Sequence, residues 1–171
     1  YKMHNNLNLN DINKGLHFLS LGGIGEIGAN CYLYGCDGKW IMIDLGLSFA
    51  DEKFPGVDLL VPKIDNIDSI KENLEAIIIS HGHEDHAGAV AFFANKIKCP
   101  VYATKFAMLI IENRLKEFNK VDGFNLMEIN LNKKLSLKNF TLDFIPTTHS
   151  IPEPSAIIIS TTYGSLLHTA D

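Results

Sequence analysis

Residues 76–91 read AIIISHGHEDHAGAVA, so an apolar run, Ala76 to Ile79, passes straight into a loop in which five of the six residues from His81 to His86 are ionisable. The run Glu75–Ser80 reads as a strand buried on both faces, and the apolar residues from His86 to Ile97 recur at helical spacing. A strand of that kind followed at once by a helix belongs to a layered α/β protein. So much charge at the end of a buried strand needs partners, and neutral imidazole and carboxylate are the usual ligands of zinc and similar divalent metals.

Spacing sharpens the point. In extended backbone, residues two apart face the same way, so His81 and His83 can grip one ion while Gly82 lets the chain turn closely around it. Asp85 and His86 fall where the helix begins, and the change of backbone direction can aim them at a second ion. The plainer alternative is a polar helix-entry loop with Asp85 as N-cap. His149, in FIPTTHSIPEP, and Asp171, in LLHTAD, also stand at the ends of strand-like runs. Layered α/β folds gather groups from distant loops at such ends.

The remaining pattern extends the α/β reading. LHFLSLGG (16–23) reads as a strand, and NCYLYGCDGKWIMIDLGL (30–47) as a hairpin turning at Asp37-Gly38. VDLLVP (57–62) reads as a short strand, IDNIDSIKENL (64–74) as a short helix, HAGAVAFFANKI (86–97) as a helix, CPVYAT (99–104) as a strand and KFAMLIIENRLKEF (105–118) as an amphipathic helix. Five strand-like runs follow, separated by Asn, Gly and Pro. His17 and His168 lie within strand-like runs and read as packing or surface residues; Lys133, Lys134 and Lys138 read as a solvated hairpin, with RNA contact as the alternative.

With 171 residues, one domain is the natural division: a polar lead over 1–15, including His4, expected to be disordered, and a domain over 16–171. No run approaches the roughly 20 apolar residues that span a bilayer, and the lead has no signal-peptide core, so the expectation is a cytoplasmic protein without membrane contact. Cys31, Cys36 and Cys99 are odd in number and lack CxxC spacing, which argues for reduced packing residues. A net charge of -5 gives no global attraction to nucleic acid.

HGHEDH matches the HxHxDH loop that defines the metallo-β-lactamase superfamily, which the sequence thus resembles. LGGIGEIGANCYLY, WIMIDLGLSF, PGVDLLVP, ISHGHEDHAGAV, CPVYAT, TTHSIPEP and LLHTAD, in that order, are similar to the amino-terminal part of the ribonuclease J family. The resemblance implies an α/β/β/α sandwich, incomplete at its carboxy-terminal side and without the family's nucleic-acid-binding insertion. It further implies a sheet edge or face left exposed and covered by association, for instance in a homo-oligomer.

The resemblance also assigns residues. His81, His83 and His149 would hold one metal, Asp85 and His86 the other, and Asp171 would bridge them, with Asp85 and Asp171 as the catalytic carboxylates. Asp44 would orient the ligand loop without touching metal, and Glu84 would point away. Ala170 stands where the family usually has glycine. The implied function is cleavage of RNA phosphodiester bonds by a water activated by two divalent ions, zinc first and manganese as the alternative. Because the family's last histidine ligand has no counterpart here, the second ion is expected to bind more weakly, and the chain alone to be nearly inactive. Two rival readings are a small-molecule metallohydrolase acting on a thioester or lactam in an enclosed pocket, and a non-catalytic metal-binding remnant. The lactamase reading is weakened because such enzymes commonly carry arginine where His86 stands.

Overall fold

A computed structural model describes residues 13–52 and 54–171; the expected disordered lead, with His4, lies outside them except for its last three residues. Strands β1 (Leu16–Gly22), β2 (Cys31–Cys36) and β3 (Lys39–Ile43) form an antiparallel meander, and β6 (Leu74–Ile78), β7 (Val101–Ala103) and β8 (Leu126–Glu128) continue the same sheet in parallel. The order across this six-stranded sheet is β1-β2-β3-β6-β7-β8. A second sheet, all antiparallel, runs β12 (Gly164–His168), β11 (Ser155–Thr161), β10 (Thr141–Pro146), β9 (Leu135–Ser136). A small ribbon pairs β4 (Ser48–Phe49) with β5 (Leu59–Leu60).

The β2–β3 turn has positive φ at both Asp37 and Gly38, the mirror-image geometry that matches the twist of a hairpin. Strand alternation then divides the core in two. Leu33, Trp40, Met42, Ile77 and Val101 face the helices, whereas Tyr34, Cys36, Ile41, Ile43, Ala76 and Ile78 face the second sheet and meet Phe140, Leu142, Phe144, Ile157 and Ile159. Helix α3 (Lys105–Glu117) buries Ala107, Ile111 and Leu115, one residue per turn, in the first cluster, as the amphipathic pattern requires. Among the described residues no helical residue enters the second cluster, so the order of layers is helix, sheet, sheet.

The expected sandwich is therefore present through three of its four layers. On the outer face of the second sheet, Ile145 and Leu167 remain 41% and 58% exposed, the apolar face that a fourth layer would cover. Among the described residues no helix is long and apolar enough to cross a membrane. All three cysteines are free and buried. Lys134 pairs with Asp143, and Lys138 with the largely covered Glu75, so two lysines of the basic hairpin are held in ion pairs.

Two helices depart from the pattern expected of them. Residues 64–74 form two 3-10 turns, Asp65–Ser69 and Lys71–Asn73, in place of one helix. Residues 86–97 were expected as a continuous helix. The chain instead makes two single turns, α1 (Glu84–Ala87) and α2 (Val90–Phe93), because backbone groups from Asn30 and from the segment after Asp44 bond into this stretch. Leu47 N–H donates to Glu84 O, Leu45 N–H to His86 O and Asn30 N–H to Asp85 O, while Ala89 N–H turns out to Leu45 O (2.8–3.0 Å). Gly46 makes this approach possible, since a Cβ there would lie 1.7 Å from the Asp85 carbonyl oxygen.

Candidate metal centre

Strands β3 and β6 are parallel and adjacent, so their carboxyl ends lie side by side, and the residues that follow them, Asp44 and Ser80-His81, meet at once. Asp44 takes a left-handed φ of 61°, a conformation costly for a non-glycine residue that recurs at functional sites. That turn directs a fully buried carboxylate into the loop. Its Oδ1 accepts Ser80 N–H at 2.7 Å, and its Oδ2 lies 2.9 Å from Ser80 Oγ and 2.7 Å from His86 Nδ1. Burial pushes the Asp44 carboxyl up, but the hydrogen bond and charge of His86, with the nearby His168 and the Ser80 N–H, hold it below its ordinary value.

His81 and His86 are both buried, and they titrate in opposite directions. Burial, then the charge of His86, lowers His81 to about 4. Burial also acts to lower His86, yet its hydrogen bond to Asp44 and the charges of Asp44, Asp85 and Asp171 raise it to about 9. His168 is buried as well, its Nδ1 3.0 Å from Tyr34 OH and its Nε2 4.0 Å from Asp44 Oδ2; burial first lowers it. It is a packing residue on the Asp44 side of the centre. His17 stacks on Trp40 away from it.

On the open side, His83 Nδ1 lies 3.2 Å from His81 Nε2 and 3.0 Å from His149 Nε2. Two nitrogens bound to one tetrahedral zinc at about 2.0–2.1 Å stand roughly 3.3–3.4 Å apart, so this spacing is that of a ligand set. A second trio, His81, His86 and Asp171, also brings its donor atoms within 4.8 Å of one another. Asp171 follows β12 and reaches both groups, with Oδ1 3.4 Å from His86 Nε2 and Oδ2 3.7 Å from His149 Nε2. Asp85 sits at the rim, its Oδ2 3.7 Å from His86 Nε2 and 3.4 Å from Asn30 Nδ2, and belongs to neither trio. His83, not Asp85, occupies the N-cap position of α1.

Several neighbours shape the loop. Glu84 turns outward to an ion pair with Arg114 of α3. Glu153, in the SIPEP turn, accepts Phe106 N–H at 2.9 Å at the amino end of α3, tying the His149 loop to that helix. Ala170 has φ 50°, which explains why glycine suits this position: here a methyl group is carried in the left-handed region. Two polar residues were not singled out from the sequence. Ser80 is simply the last letter of an apolar strand, and a buried hydroxyl at that point was its only signal. Asn30, oriented by Tyr32 OH at 2.8 Å, places its amide nitrogen 3.1 Å from His86 Nε2, and nothing in its local sequence marks it.

Comparison with known proteins agrees with this architecture. Among curated relatives, the chain is 35% identical to ribonuclease J 2 of Staphylococcus epidermidis over 159 residues, 93% of this chain and 28% of that protein. It is 37% identical to ribonuclease J 1 of Streptococcus pyogenes, over 89% of this chain and 27% of that one. With ribonuclease J of Thermus thermophilus it shares 36% identity over 91% of this chain and 28% of the relative. The chain thus spans little more than a quarter of the length of these proteins. A metallo-beta-lactamase fold protein from Bacillus subtilis shares the fold with a TM-score of 0.59 at 17% identity, over 90% of this chain and 61% of that one. A protein of unknown function from Enterococcus faecalis does so with 0.67 at 19%, over 91% and 43%. The family model of the metallo-beta-lactamase superfamily matches residues 24–171, from the glycine-rich loop to Asp171, and the chain belongs to that superfamily.

Proposed function

We propose that this chain carries the metal centre of a ribonuclease J-type hydrolase that cleaves RNA phosphodiester bonds. The observation that carries the reading is the Asp171 carboxylate, one oxygen toward His86 and the other toward His149. A carboxylate shared between two ligand sets in this way suits two-ion phosphodiester cleavage, which depends on holding two ions a few ångströms apart. The relatives named ribonuclease J support RNA as the substrate class. His81, His83 and His149 would hold one ion and His86, Asp85 and Asp171 the other, with Asp171 common to both.

Bound there, two divalent ions would draw charge from a phosphoryl oxygen and make a water at the site more acidic, with zinc first and manganese as the alternative, since mixed imidazole and carboxylate donors suit both. The rest is the work of the chain's own groups. Asp44 holds the His86 ring from behind, Asp85 and Asp171 supply the negative charge that favours cations over the surrounding histidines, and Asn30 restrains Asp85 through its amide.

The test uses both this 171-residue chain and a longer protein containing it, on 5′-monophosphorylated single-stranded RNA with added zinc or manganese. The expected result is cleavage by the longer protein, abolished by chelation and by His83→Ala, with the shorter chain much weaker. Turnover of thioesters or lactams with no RNA cleavage by either protein would replace this reading with the small-molecule one.

A further inference from the structure

The hydroxyl of Ser80 sits where the two histidine groups meet. It is buried to 1% exposure, 2.9 Å from Asp44 Oδ2, 3.0 Å from His81 Nδ1 and a longer 3.5 Å from His86 Nδ1. Counting donors settles where the protons lie. A carboxylate accepts only, so His86 Nδ1, at 2.7 Å from Asp44 Oδ2, must carry a hydrogen. By the same count, Ser80 Oγ must donate its single hydrogen to Asp44. Having no second hydrogen, Ser80 Oγ can only accept from His81, whose Nδ1 must therefore donate. The chain of bonds is His81 Nδ1–H to Ser80 Oγ, Ser80 Oγ–H to Asp44 Oδ2, and His86 Nδ1–H to the same oxygen.

We propose that Ser80 is a positioning residue which, through Asp44, holds His81 as the Nδ1–H tautomer, so that one buried carboxylate orients a histidine of each trio toward the metal-binding space. His81 Nε2 is then a bare lone pair facing His83 Nδ1 and His149 Nε2. Without the hydroxyl, Asp44 would still govern His86 but would lose its hold on His81. Its second oxygen is taken up by Ser80 N–H, and among the described residues Ser80 alone is placed to bond His81 Nδ1. The inference rests on the metal-centre reading for its consequence, while the tautomer itself can be read without metal.

The experiment has two arms on the 171-residue chain. Long-range proton–nitrogen NMR of the chelator-treated protein near neutral pH reports the His81 tautomer directly; the Nδ1–H form is expected, and the Nε2–H form overturns the proposal even if no variant folds. In the second arm, zinc affinity is measured by competition with a chromophoric chelator. Ser80→Ala is expected to weaken the tighter site by about 10–100-fold, the usual effect of removing a group that orients a ligand. The same variant should lose the Nδ1–H preference of His81, and Ser80→Thr, which restores the hydroxyl, should recover both. Unchanged tautomer and affinity in Ser80→Ala overturn the proposal. Failure of the wild-type chain to bind zinc while His81 keeps the Nδ1–H form would count against the metal-centre reading and leave the relay standing.

Discussion

The two sides of the candidate metal centre are built differently. Asp44, Ser80, His81 and His86 lie at 0–1% exposure, and each has a hydrogen-bond partner supplied by the others. Asp85, His149 and Asp171 have side chains 38%, 25% and 44% exposed, and their ligand atoms meet chiefly the opposing histidines. The buried side is organised by the protein in advance, so its geometry is part of folding. On the exposed side, nitrogen faces nitrogen, and what such an arrangement gains from a cation it cannot gain from itself. Stability should therefore depend on the first side and metal response on the second.

The largest break in that contrast is expected from Gly46→Ala. The new methyl would strike the Asp85 carbonyl, so the segment Asp44–Leu47 must leave α1. Loss of more than about 4 kcal/mol, or of soluble folded protein, should appear in urea unfolding monitored at Trp40. Next comes Asp44→Ala, which takes from a buried site the acceptor shared by His86 Nδ1–H, the Ser80 hydroxyl and Ser80 N–H; about 3–5 kcal/mol is expected in the same assay. A loss below 1 kcal/mol would show that the buried side is not what the fold depends on.

Titration of chelator-treated protein sharpens the picture, because the two buried histidines act on opposite limbs. His86, raised to about 9, binds more protons in the folded than in the unfolded chain between pH 6.5 and 9, so its contribution is complete below 6.5 and is lost as pH rises through 9. His81, lowered to about 4, binds fewer protons when folded, so stability falls as pH drops from 6.5 toward 4. Each limb should span on the order of 2–3 kcal/mol, with the maximum near pH 6.5. His86→Gln should flatten the alkaline limb and, because the charge of His86 helps to lower His81, make the acid limb shallower.

The exposed side should respond weakly by itself. Asp171→Asn is expected to change metal-free stability by no more than about 0.5 kcal/mol, yet to reduce the upward shift of Tm that added zinc produces in the wild type. A large metal-free effect would erase the distinction between the two sides. Smallest of all is Ala170→Gly, which removes left-handed strain of about 1 kcal/mol and gives part of it back as unfolded-chain entropy, for a net gain below about 1 kcal/mol in the urea midpoint.

By itself, the sequence determined the strand that carries the loop, the HxHxDH spacing and the strand ends at which His149 and Asp171 stand, because period-2 and period-3.6 patterns and ligand types are local properties. It also marked helix α3 and the Asp37-Gly38 turn, where residue choice and backbone conformation go together. Tertiary structure alone decided the rest. The break between α1 and α2 comes from backbone groups of Leu45, Leu47 and Asn30, 37 or more residues away in the chain, which compete for carbonyls that the helix pattern assigns to itself. Ser80 and Asn30 acquire their roles from what is brought beside them. A hydroxyl and an amide carry no periodic signal, and their hydrogen bonds reach residues such as Asp44 and Asp85 that only the parallel pairing of β3 with β6 and the close approach at Gly46 bring within about 3 Å.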